Sequence, residues 1–386
     1  MTTGKLAALM NHDFQILEYP VPDPMEGSLV IKVEAASICG SDAHIIKFDV
    51  PKPGCEGHEF MGRIISMDAK ANEMIHSFDG ELKVGDRIAV YPHISCGKCS
   101  VCLDQGDGCC ACENDFIYGG PHQLGKPVFN CDPEVFPHFK GGFGEYVHIF
   151  PGTYVWKVPD DMPSGIASLL DPVAVGMRAV EMALSSAMVP NEGITTTTRA
   201  LVIGAGPIGV ITAMILHTMG VEELIISDLL QEKLDAAKSI SGADTTFNVS
   251  GMTPDERVAA FLDLTHGGAD VVINCASHPA SQVEGLQMAK VMGTFIEVGN
   301  PMAFGGKPFE VTVSLPKVVF SKNVKVLGLT ANYPKTFDRS FRLLKRHKEM
   351  PFGRLITHPF HKLEDLKSTM DKMGDIDYLK GTLIFE

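Results

Sequence analysis

Three glycines in the run Val202-Ile203-Gly204-Ala205-Gly206-Pro207-Ile208-Gly209 constrain the fold more tightly than any other part of the chain. Arg199 to Ile203 reads as a short buried strand, and Pro207 to about Met219 as a long apolar helix. A G-x-G-x-x-G turn between strand and helix is the pattern of a dinucleotide site. Gly204 permits the tight turn, Gly206 lets the backbone approach a pyrophosphate, and Gly209 allows close helix–strand packing, with the helix N-terminus facing the anion. Asp228 follows Gly209 by 19 residues, at the end of the next strand, where a carboxylate can bind ribose hydroxyls. The expected cofactor contacts are Gly204, Gly206, Pro207, Ile208, Gly209 and Asp228. Leu229, Leu230 and Gln231 offer no cation to a 2′-phosphate, and the first basic residue is Lys233, so NAD is expected over NADP.

The alternation continues beyond this turn. Leu224–Asp228, Ala269–Asn274, Gly293–Val298 and Val324–Leu329 read as strands, and Gln231–Ile240 as a helix. Such a sequence predicts an α/β unit over residues 166–331, a doubly wound parallel sheet with helices on both faces. The turn Glu297-Val298-Gly299-Asn300 lies at the carboxyl edge of that sheet, which places Val298 and Gly299 beside the nicotinamide. Residues 1–165 are β-rich, with Leu29–Ala36 and Val84–Val90 as strands, and residues 332–386 are expected to return to that first domain. A chain of 386 residues suits two domains of roughly 100–200 residues each.

Cys96, Cys99, Cys102 and Cys110 are spaced C-x2-C-x2-C-x7-C, so four thiolates can close a tetrahedral structural zinc site over loop 96–110. Cys109 and Cys112 compete for the fourth position, and the spacing favours Cys110. Upstream, Cys39 and the pair His58-Glu59 supply a thiolate, an imidazole and a carboxylate. A catalytic zinc keeps three protein ligands and one open position. Asp171, at the domain junction, is the candidate third ligand, Glu59 competes directly or from one shell out, and Cys55 ranks below both.

Composition excludes other classes. The formal net charge of −14 repels phosphate backbones, so nucleic acid is not an expected partner. No stretch approaches the ~20 apolar residues of a membrane span. Ten cysteines in a chain long enough to bury a core without staples favour thiolate ligands over disulfides, and hence the cytoplasm.

Cys39-Gly40-Ser41-Asp42, Gly57-His58-Glu59, Val84-Gly85-Asp86-Arg87-Ile88, the four-cysteine loop, Gly141-Gly142-Phe143-Gly144-Glu145-Tyr146 and the glycine fingerprint follow one another in a telling order. Together they resemble the zinc-containing medium-chain alcohol and polyol dehydrogenases, the group that includes alcohol, sorbitol and threonine dehydrogenases. The resemblance implies a GroES-like catalytic domain joined to a Rossmann domain, with the active site in the cleft between them. It supports Cys39 and His58 as zinc ligands, and Glu59 as a labile ligand or near neighbour. Asp171 falls where relatives place a ligand. Ser41 falls at the proton-relay hydroxyl, and His44 at a position that carries protons to solvent. It also implies a homodimer or homotetramer acting on a small alcohol. The expected reaction is hydride transfer between NAD and the CH–OH group of a secondary alcohol, polyol or sugar alcohol. A β-hydroxy amino acid is the second expected substrate, and a zinc-free quinone or enoyl reductase the alternative that the Cys39 and His58 motifs oppose. The segment 111–141 is longer than is common in that family, and the roles open to it are a cap over the cleft, packing between subunits or surface decoration.

Overall fold

The computed structural model describes residues 2–47, 53–120, 129–184, 194–299 and 310–385. Part of the 111–141 segment, and Asn300 of the predicted cofactor turn, lie outside them. The chain divides into two units. The first comprises residues 1–171, 332–349 and 356–386, and the second residues 172–331 and 350–355.

The first unit is built on an eight-stranded sheet around Leu29–Ser37. Leu29, Val30, Ile31 and Val33 are buried in that strand, and apolar residues of Glu59–Met67 and Arg87–Val90 complete the core. Burying a side chain of this size contributes about 1.5–3 kcal/mol. Pairing register matters most at one end of the central strand. Ser37 pairs with Glu59 on one side and with Thr382 of Lys380–Ile384 on the other, both antiparallel. Cys39, His58 and Lys380 therefore arrive at the same end of the sheet from three distant parts of the sequence. A three-stranded sheet of Thr3–Met10, Asp13–Pro20 and Gly54–Cys55 anchors the chain just before His58, which lies between Gly54–Cys55 and Glu59–Met67.

The second unit is a six-stranded, all-parallel sheet. Its order is Thr245–Asn248, Glu223–Asp228, Arg199–Ile203, Ala269–Asn274, Ala289–Glu297 and Lys325–Gly328. The strand that comes first in this unit's sequence, Arg199–Ile203, thus lies in the middle, and the order reverses on either side of it, the doubly wound arrangement expected from the sequence. Leu201, Ile225, Phe261, Val272 and Phe295 form its core. Register aligns the carboxyl ends: Ile203 pairs with Ser227 and with Asn274, and Asn274 with Glu297. The predicted strand Gly293–Val298 begins earlier, at Ala289. Among the described residues no helix is long and apolar enough to cross a membrane.

Candidate catalytic metal centre and dinucleotide site

Cys39 lies two residues beyond the end of the central strand and caps the short helix Gly40–Ile45. The third helical residue, Asp42, is buried and accepts the Cys39 N–H at 2.8 Å through Oδ2. Its other oxygen, Oδ1, lies 3.3 Å from His58 Nδ1. One carboxylate therefore sets both the thiol-bearing turn and the imidazole, leaving His58 Nε2 to face a ligand. One ligand atom each from Cys39, His58 and Glu59 falls within 4.8 Å of the others. Burial opposes charge on His58, but Asp42 and Cys39 outweigh it and hold the imidazole well above its usual range. A thiolate, an imidazole and a carboxylate with an outer carboxylate on the histidine form a donor set that fits zinc.

Glu59 is not a lone donor. Lys380 Nζ sits 2.8 Å and 2.6 Å from its two oxygens, and both residues are buried. Glu56, also buried, has no hydrogen-bond partner on either carboxylate oxygen, and burial, reinforced by Asp42, pushes its pKa well up.

Asp171 stands outside the gathered triad. It occupies the first turn of the helix Leu170–Leu184, and its Oδ1 accepts Asn332 Nδ2 at 3.2 Å. In this geometry Glu59, and not Asp171, joins Cys39 and His58, because register places Glu59 opposite Ser37 while the Asp171 carboxylate is engaged by Asn332. Cys55 points elsewhere, its thiol donating to the His138 carbonyl at 3.3 Å. Ser41 and His44 lie on the Gly40–Ile45 helix, both half-buried. Burial, then Lys47, lowers the His44 pKa below the usual range.

The four-cysteine loop gathers Cys96, Cys99, Cys102 and Cys112, again with ligand atoms within 4.8 Å of one another. The fourth sulfur is that of Cys112, not of Cys110 as the seven-residue spacing had it. The reason is a turn: Cys112 N–H bonds back to the Cys109 carbonyl at 3.3 Å, which carries residue 112 toward Cys96. Cys112 Sγ then accepts N–H groups from Cys96 at 3.2 Å and Asn114 at 3.3 Å. Backbone N–H bonds lower the pKa of Cys96, to about 6, and of Cys99, while burial raises those of Cys102 and Cys112. The backbone N–H groups thus favour thiolate at Cys96 and Cys99 while burial opposes it at Cys102 and Cys112, a set that a cation would complete, which fits a structural zinc.

In the second unit, a Cβ on Gly209 would lie 1.8 Å from the Gly204 carbonyl oxygen, so only glycine lets the helix Pro207–Thr218 meet the strand end this closely. Gly204 has a φ of +100°, and a Cβ on Gly206 would meet open space, which leaves room for a pyrophosphate. Asp228 accepts the Ala205 N–H at 2.8 Å and the Leu230 N–H at 3.1 Å, so its carboxylate is fixed beside the glycine turn. Val298 and Gly299 both donate N–H groups to the Asn274 carbonyl at 2.9 Å. These residues fit a dinucleotide.

The alcohol dehydrogenase GroES-like domain matches residues 25–160, and the zinc-binding dehydrogenase domain matches residues 207–346. An L-threonine 3-dehydrogenase of Bacillus subtilis (strain 168) is 30% identical over 384 residues, covering 97% of this chain and 96% of that one. The chain belongs to the zinc-binding alcohol dehydrogenase family. A sorbitol dehydrogenase of Macaca fascicularis is 29% identical across 74% of this chain and 72% of its own. The crystal structure of an alcohol dehydrogenase from Thermotoga maritima superimposes with a TM-score of 0.84 at 24% identity, covering 100% of both chains, and shares the fold.

Within this zinc-binding dehydrogenase, sequence reasoning left three site residues unassigned. Asp42 had a signal, since an acid three residues after a helix-capping position is placed to bond back to the cap. Cys112 was visible only as a competitor. Lys380 had none, because its partner lies 321 residues away.

Proposed function

We propose that the protein oxidises the CH–OH group of a secondary alcohol, polyol or sugar alcohol with NAD as hydride acceptor. The observation that carries this is the gathering of Cys39, His58 and Glu59 within 4.8 Å in a chain that also holds a complete dinucleotide turn. When bound, zinc would lower the pKa of a substrate hydroxyl and NAD would accept its hydride. The chain's own residues do the rest. Cys39 and His58 would hold the cation, and Asp42, 3.3 Å from His58 Nδ1, orients the imidazole for it. Glu59 contributes a third donor whose charge Lys380 partly offsets. Ser41 takes up the hydroxyl proton, and His44, kept neutral near pH 7 by its lowered pKa, passes it to solvent. Asp228, with no cation at Leu229, Leu230 or Gln231, favours the free ribose of NAD over the 2′-phosphate of NADP.

A second substrate class, a β-hydroxy amino acid, is favoured by the nearly full-length likeness to the B. subtilis threonine dehydrogenase. Thiolate ligands suit a reducing compartment, so we place the protein in the cytoplasm, as a homodimer or homotetramer. The test is an NAD-reduction screen of polyols, secondary alcohols and β-hydroxy amino acids, with zinc measured on the same sample. Two zinc ions per chain and NAD-dependent turnover that Cys39→Ser abolishes are expected. Full activity in Cys39→Ser would sink the metal assignment.

A further inference from the structure

Glu297 ends the fifth strand of the parallel sheet, where its register partner is Asn274. Its two carboxylate oxygens accept from Asn274 Nδ2, at 2.8 Å (Oε2) and 3.1 Å (Oε1), and Oε1 also accepts the Gly299 N–H at 2.9 Å. The segment it fastens is tightly seated, since a Cβ on Gly299 would lie 2.1 Å from the Ala276 carbonyl oxygen. The Asn274–Ala276 turn in turn abuts the fingerprint: a Cβ on Gly204 would meet Ala276 N at 3.0 Å. A chain of contacts thus runs from Glu297 to the glycine turn.

Topology says which half of the dinucleotide lies near it. The pyrophosphate belongs over the central strand, at Gly204–Gly209. Asp228 assigns the adenosine to the strands on one side, so the nicotinamide half falls on the other side, over the ends of Ala269–Asn274 and Ala289–Glu297. Among the described residues, no lysine or arginine forms an ion pair with Glu297. The groups around it are neutral: Asn274, the Cys275 thiol, Gln282 on the helix Pro279–Met288 and the Gly299 N–H. On that helix Glu284 is paired with Arg257, and His278 caps its start.

We propose that Glu297 is a positioning residue whose uncompensated carboxylate biases the site toward the oxidised, positively charged nicotinamide over the neutral reduced ring. This rests on the reading of the glycine turn as a dinucleotide site. The charge is conditional. Burial pushes the Glu297 carboxyl up to about 7, against the opposing pull of Asn274, Gly299 and Gln282. The Cys275 thiol, pushed by burial to about 12, stays neutral over the same range. Preference for the oxidised form therefore grows as pH rises through neutrality and Glu297 ionises.

The experiment compares the zinc-loaded full chain with Glu297→Gln, which keeps an acceptor for Gly299 N–H and Asn274 but removes the charge. NADH affinity is read from its fluorescence on binding, and NAD affinity by competition, at pH 6 and pH 8.5. At pH 8.5, Glu297→Gln should weaken NAD about three- to tenfold, the range of one partly screened charge interaction. It should leave NADH affinity within about twofold and flatten the pH dependence of the ratio. Equal weakening of both forms, or an unchanged ratio, overturns the proposal and leaves only a structural clasp. If Glu297→Gln does not fold, the wild-type profile decides: a ratio of NAD to NADH affinity that does not rise between pH 6 and pH 8.5 refutes it. A wild-type protein that binds neither form overturns the dinucleotide reading itself, and the proposal with it.

Discussion

Replacing Lys380 by Met removes the ammonium that pairs with Glu59 while keeping a side chain of similar length. The two residues are 4% and 1% exposed at the side chain, and Nζ is within 2.8 Å of both carboxylate oxygens. Without the ammonium, the buried carboxylate lowers its energy by taking a proton. Protonating an ordinary glutamate at pH 7 costs about 1.4 kcal/mol for each pH unit above its usual pKa, or about 3–4 kcal/mol in all. That ceiling agrees with the roughly 3–5 kcal/mol lost when one partner of a buried ion pair is removed. The sign is fixed: a carboxyl whose folded-state pKa is raised loses stability as pH climbs, so the penalty shrinks by about 1.4 kcal/mol for each unit of acidification. Trp156 is the single tryptophan, is fully buried and lies in the same unit, so its fluorescence during urea unfolding reports the right transition. The measurement is made in chelator, comparing wild type with Lys380→Met at pH 7 and pH 5. Adding Glu59→Gln to Lys380→Met should recover most of the loss, because the carboxylate that lost its ammonium is then gone as well. A loss below about 1 kcal/mol at pH 7, or the same loss at both pH values, would refute the reasoning.

Cys112→Ser should reduce zinc content from two equivalents to one and lower the melting temperature, whereas Cys110→Ser should retain both ions; the reverse outcome would restore the x7 spacing. Asp42→Asn should weaken metal binding at the Cys39 site about 10- to 100-fold, as loss of a histidine's outer carboxylate generally does, and competition with a chromophoric chelator reads it. Gly209→Ala must push the helix start away from the Gly204 carbonyl, so dinucleotide affinity should fall at least about tenfold, the equivalent of roughly 1.4 kcal/mol in calorimetry.

The second unit was legible in the sequence because its information is local. Arg199–Ile203 and Ala269–Asn274 are apolar runs bounded by turn residues, and the structure gives them those same limits. A strand buried on both faces announces itself by composition alone. The first unit yielded less. That residues 332–386 supply the strand Lys380–Ile384, paired with Leu29–Ser37, is a statement of register between distant segments, and periodicity carries no such information. The same division runs through the site. Cys39 and His58 sit in short motifs whose chemistry is apparent from neighbouring residues. The choice between Cys110 and Cys112 turns on one backbone hydrogen bond, which spacing does not encode. The charge balance is more distant still. Cys39, Asp42, Glu56 and Glu59 bring four acidic groups together, and Lys380 meets Glu59 and Cys39 while His58 meets Asp42 and Glu56. Burial, reinforced by Asp42, pushes the Glu56 carboxyl well up, and the His58 imidazole, held above its usual range by Asp42 and Cys39, is a second basic group in the cluster. Glu56 is left without a hydrogen-bond partner on either oxygen, and burying a polar group in that state is costly. A dication held at Cys39 and His58 would take the place of the imidazole proton and bring added positive charge toward Asp42 and Glu56, so the unpartnered Glu56 carboxyl is a group among the described residues that such a cation would favour in its charged form.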